Sequence, residues 1–175
     1  MGWVTLSLRK KELQRTHSDL QLQDLQLSRE QRAMARNKMY EQTLINNDKM
    51  RESRALNKAQ REDSASIYET IKEKREAKRG LDPNSQQALD LQAEIDDLNT
   101  QVEAVKEDSA QALNESAAHF DNELAMLEQE SADREAMIED QKVAIETEME
   151  AVAAELQAVK EAVSQEIQNT TISLK

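Results

Sequence analysis

The sequence predicts an all-α protein, an elongated antiparallel two-helix hairpin of coiled-coil type, able to sit within a larger helical bundle. Three observations carry that prediction. Of 175 residues 38% are hydrophobic and 33% charged, with only four aromatics, Trp3, Tyr40, Tyr68 and Phe120. So few large apolar side chains suit a buried stripe better than one filled core. The only internal glycine and the only proline, Gly80 and Pro83, stand together near the middle of the chain. Apolar residues recur at helical spacing on both sides of them. That periodicity also argues against disorder, which a net charge of -12 and a mean hydropathy of -0.84 would otherwise suggest.

Residues 1–8 form an apolar N-terminal segment in which Val4, Leu6 and Leu8 alternate, a pattern open to a strand or a helix start. Residues 9–79 read as the first helical arm. Leu6, Leu13, Leu20, Leu27 and Met34 recur every seven residues, one stripe of a coiled-coil seam. Its companion stripe holds His17, Asp24 and Gln31, where apolar residues would be expected. Leu22 and Leu25 lie on a different face, so this part of the helix shows apolar surface on two sides. Between Met39 and Ala65 the stripe thins, and the helix there needs a neighbour to stay ordered.

The first arm ends in KEKREAKRG, whose cations suit the negative end of a helix dipole, with Gly80 as the expected left-handed cap. Residues 80–84 form the turn. Asp82 is the expected N-cap with Pro83 at the first helical position, and Ser85 a later alternative.

Residues 85–168 make the second arm. Leu91, Ile95, Leu98, Val102 and Val105 form a seam, which spaces out through Ser109, Leu113 and Ala117 before resuming at Phe120. Leu124, Leu127, Ser131, Arg134 and Ile138 continue it. Ile145, Met149, Val152, Leu156, Val159 and Val163 complete it, flanked by small alanines that widen the apolar face. The β-branched tail, residues 169–175, is expected to leave the helix.

Charge divides at the turn. Residues 1–80 hold 18 Lys and Arg against 12 Asp and Glu, and residues 81–175 hold 5 against 23, so +6 and -18 recover the total of -12. A parallel pairing of the second arm would oppose Asp90, Asp96, Asp97 and Glu103 to their own copies. Folding back about residues 80–83 instead places Arg61 near Glu103, Lys38 between Glu123 and Glu128, and Arg15 near Glu146 and Glu148. Exposed pairs contribute about 0.2 to 1 kcal/mol each, so they choose direction and partner more than they supply stability. A first arm of about 70 residues would span roughly 105 Å.

Chemistry is sparse. There is no cysteine, and two glycines leave no room for a phosphate-binding loop. His17 and His119 fit no metal-ligand spacing, and Glu115 and His119 are expected to form an exposed pair. No nucleophile, base and orienting acid can be assembled, so we expect no enzyme activity, no cofactor and no metal. Acidic residues interrupt the basic run at residues 72–79, so direct nucleic-acid binding is not expected. No apolar run reaches a membrane span, and the opening residues lack a signal peptide's core, so a cytoplasmic or virion location is expected. The partners expected are other protein subunits, in a homo- or hetero-oligomer. The predicted partner-binding surface is Trp3, Val4, Leu6 and Leu8 together with Val152, Leu156, Val159 and Val163.

Two resemblances follow from these residues. The opening MGWVTLSLRKKELQ, with Leu20, Leu27 and the LSREQ segment, resembles small coiled-coil virion or assembly proteins of tailed bacteriophages. That likeness implies a structural component of a particle. The basic first helix, short turn and long second helix also resemble the central-stalk proteins of type III export ATPases, which implies instead a hairpin stalk or chaperone-like binder of a secretion apparatus. Neither likeness carries a functional residue onto this chain.

Overall fold

In the computed structural model, which describes residues 2–172, two helices account for almost the whole chain: α1 (Trp3–Lys78) and α2 (Gln86–Ile172). The chain is 95% helical, and the two helices pack against each other as an all-α hairpin. The alternation in residues 3–8 resolves as helix, with the amides of Thr5 and Leu6 donating to the Gly2 carbonyl. Helix α2 runs to Ile172, so the first four residues of the tail expected to leave the helix, 169–172, stay helical. Residues 173–175 of that tail, like Met1, lie outside the described residues.

The chain divides into two compact units, one made of Met1–Met39 with Glu128–Lys175 and the other of Tyr40–Leu127. The second unit contains the turn. Here Gly80 is not a left-handed cap, because no glycine among the described residues has a positive φ. The Leu81 amide donates to the Lys78 carbonyl at 3.1 Å and closes the helix end with ordinary backbone angles. Asp82, Pro83, Asn84 and Ser85 then form a β-turn, with the Ser85 amide 2.9 Å from the Asp82 carbonyl and Pro83 where a fixed φ is favoured. Asp82 Oδ1 accepts from the Asn84 amide, an Asx turn, instead of capping a helix. The N-cap is Ser85: its Oγ accepts from the Ala88 amide at 3.3 Å, while its carbonyl accepts from Leu89.

Burial in this unit follows the seam. Ile71, Ile95 and Val102 form one cluster, with Ile67 and Leu98 packed on it, and Ala88 and Phe120 are buried as well. Lys49 pairs with Asp121 at 2.6 Å, Lys74 pairs with Glu94, and Lys78 donates to Gln92 at 2.6 Å. These pairs fix the antiparallel direction. The expected Arg61 to Glu103 pair is not among them: Arg61 is exposed, and Glu103 accepts instead from Lys106 on its own helix at 2.7 Å.

In the first unit, Leu13 and Leu20 of α1 are buried, as are Ser131 and Ile138 of α2. His17, Asp24 and Gln31 take the alternate inward positions and are half-buried, so one stripe of this seam is polar. Arg134, expected on the seam, points out to solvent and pairs with Glu130 one turn back. A guanidinium keeps its hydration there, and the seam passes from Ser131 to Ile138 without it. Arg9 crosses from α1 to α2, with Nη2 2.7 Å and Nε 2.9 Å from Glu155 Oε1. That pair brings the start of α1 alongside residue 155. The expected contacts of Arg15 with Glu146 and Glu148 do not form, since Arg15 lies on the outward side of α1.

Candidate assembly surfaces

The first unit carries the residues expected to bind a partner, and it separates them onto different faces. Leu6 sits in line with Leu13 and Leu20 on the inward side of α1 and is half-buried. Val152, Leu156, Val159 and Val163 hold inward seam positions on α2 and are likewise half-buried. Val4 and Leu8 instead face outward, 56% and 58% exposed. Trp3 opens α1, and its side chain lies outside the described residues. The seven whose side chains are described therefore do not make one surface.

Two outward stripes emerge in their place. On α1, the helical positions opposite the Leu13–Leu20 seam recur at spacings of four and three from residue 4 to residue 39. Val4, Leu8, Leu22 and Leu25 fall on this stripe, the last two 56% and 49% exposed. The same stripe holds Lys11, Arg15, Arg29, Arg32 and Arg36, all exposed, and no acidic residue. Leu22 and Leu25 thus belong to an open face and not to local core packing. An open depression beside this stripe is lined by Leu8, Lys11 and Arg15 and also by Glu12 and Asp19, which lie off the stripe.

On α2 of the same unit, the positions opposite the Ile138–Ile145–Val152 seam run from residue 133 to residue 164. They hold Asp133, Asp140, Glu150 and Glu161, with Ala136, Val143 and Ala154 between them, and no basic residue. All are exposed, Val143 by 53%. The seam and its flanks do not mark this stripe. Its signal was present in the single sign of charge at positions diametrically opposite the seam.

Glu161 accepts a hydrogen bond from Gln157, and the other charges of the two stripes are uncommitted among the described residues. Lys11, Arg15, Arg29, Arg32 and Arg36 make no ion pair among the described residues, and neither do Asp133, Asp140 and Glu150. Elsewhere helix neighbours do pair, as Arg9 does with Glu12 and Lys106 with Glu103. The Arg9 guanidinium is held above its usual pKa, first by its hydrogen bond to Glu155 and then by that carboxylate's charge. Lys106 is raised likewise, chiefly by its hydrogen bond to Glu103.

No cluster of potential metal ligands occurs among the described residues. His119 Nε2 lies 3.5 Å from Glu123 Oε1 and its ring lies beside that of Phe120, while Glu115 accepts from Gln111 and not from His119. The groove between the helices of the first unit is open and lined by Gln23, Gln26, Glu30 and Gln141 together with Leu27, Ala144 and Ile145. Among the described residues, no helix is long and apolar enough to cross a membrane. No protein family, curated protein or solved structure matches the chain. What defines the class of this molecule is therefore its architecture, a helical hairpin with two open faces of opposite charge.

Proposed function

We propose that this protein is a non-enzymatic, coiled-coil structural or assembly component of a larger complex. One observation carries the reading: α1 of the first unit has an inward apolar stripe used within the chain and an outward one, Val4, Leu8, Leu22 and Leu25, left open to solvent. Exposing that stripe costs the isolated chain solubility, and burying it against another subunit recovers about 25 cal/mol for each Å² of apolar surface covered. Helices with two apolar sides have two neighbours. The complex we favour is a tailed-phage particle, on the likeness of the opening residues; a secretion stalk is the second reading, favoured by the hairpin with a basic first arm.

The test is to tag the chain in cells of its source and sediment the lysate through a sucrose gradient. Co-migration with a particle far heavier than the 19.9 kDa chain is expected. Recovery wholly in the free-chain fractions contradicts an assembly role. The proteins that co-migrate then separate the two readings, coat and tail proteins on one side and an export ATPase on the other.

A further inference from the structure

Building on that assembly reading, we infer that one partner of this protein is a second copy of itself, bound through the outward stripe of α1 against the outward stripe of α2. The two stripes belong to one compact unit and point away from each other, each opposite the inward seam of its own helix. One is apolar and cationic without an acid, and the other is apolar and acidic without a base. Among the described residues none of the five cations finds an anion, nor do Asp133, Asp140 and Glu150 find a cation. A surface that is complementary to another surface of the same molecule, but on its far side, makes a head-to-tail contact. Such a contact repeats until it closes into a ring or extends as a filament.

The intrachain register supports the match. Arg9 beside Glu155 sets which residues of α1 and α2 stand at equal height. A neighbouring copy displaced sideways keeps those heights, and its α1 runs antiparallel to the α2 that it meets. Arg15 then stands level with Glu150, Leu22 with Val143, and Arg32 with Asp133, while Leu25 stands level with Asp140 and Val4 with Glu161. The sequence places an apolar pair between two opposite-charge pairs, and the reverse arrangement of α1 on α1 would oppose arginine to arginine. An anionic membrane or a nucleic acid would also attract the arginines, but neither would use the acidic stripe on the other helix.

The experiment is sedimentation velocity on the purified full-length chain over a concentration series at low salt. Species that grow beyond the dimer are expected, and raised salt should shift them back toward the monomer. The variants Arg15→Glu/Arg32→Glu and Asp133→Arg/Glu150→Arg, at exposed positions, should each keep wild-type helicity by circular dichroism and raise the half-association concentration by about tenfold or more. Combining all four changes in one chain should restore association. A monomer at every concentration overturns the inference even where the chain sediments with a large particle in cells, which leaves the assembly reading intact. It is also overturned if the reversals leave association unchanged, or if the same arginines instead bind phosphatidylserine vesicles or duplex DNA to a monomeric chain.

Discussion

Leu20 and Leu22, two residues apart on α1, face opposite ways: Leu20 is 5% exposed and Leu22 is 56% exposed. The 100° step of an α-helix turns the second of them away from the seam that buries the first. Two leucines of equal hydrophobicity thus serve different ends, one holding the hairpin and the other left for a neighbour.

Their energetic weight should differ accordingly. Leu20→Ala is expected to cost about 2 to 5 kcal/mol in urea unfolding followed by circular dichroism, because it removes buried methyl groups and leaves a cavity. Leu22→Ala should stay within about 0.5 kcal/mol of wild type, measured on the dilute chain. Equal losses at the two positions would mean that both faces are packed within one molecule.

The turn gives a second expectation of opposite sign. Gly80 has no positive φ, and a Cβ added there would meet nothing within 4 Å. Gly80→Ala should therefore stabilise the hairpin by about 0.4 to 1 kcal/mol, through the lower entropy of the unfolded chain. Ser85→Ala should destabilise it by about 1 kcal/mol, since Ser85 Oγ caps the first turn of α2. A loss of stability in Gly80→Ala would restore the left-handed cap.

The polar half of the first unit's seam predicts a gain. Gln31 stands half-buried at an inward position between Leu27 and Met34. Gln31→Leu should raise thermal stability, by about 1 kcal/mol, because it extends the apolar stripe without removing a hydrogen bond drawn to that amide. An unchanged or lowered melting temperature would show that the polar position is needed for packing.

The bond between Arg9 and Glu155 should contribute little and respond to salt. Both side chains are about half exposed. Glu155→Gln is therefore expected to lower the melting temperature only slightly in dilute buffer, with the difference vanishing near about 1 M NaCl. A large, salt-independent loss would indicate a buried role that the exposure excludes.

Much of this fold was legible in the sequence because seams have a period. The recurrence of Leu13 and Leu20, and of Ile95 and Val102, marks the inward faces that the structure buries. Gly80 and Pro83 located the turn, but not its chemistry. A glycine near a helix end suits a left-handed cap, yet a simple backbone bond from Leu81 to Lys78 closes the end, and Ser85 outcompetes Asp82 as N-cap because Pro83 fits the corner of a β-turn. Arg134 shows the limit of spacing alone, since position on a seam does not overcome the cost of desolvating a guanidinium. The expected partner surface combined inward and outward residues, Leu6 with Leu8, because apolar character by itself does not say which side of a helix the partner helix takes.

Thiol labelling measures the inward and outward assignment directly. The chain has no cysteine, so Leu20→Cys and Leu22→Cys each introduce a single reporter. In dilute solution Cys at position 22 should react with a maleimide at close to the free-thiol rate, and Cys at position 20 far more slowly; raising the protein concentration should then protect position 22. Equal rates at the two positions, or protection of position 22 in the monomer, would contradict the account.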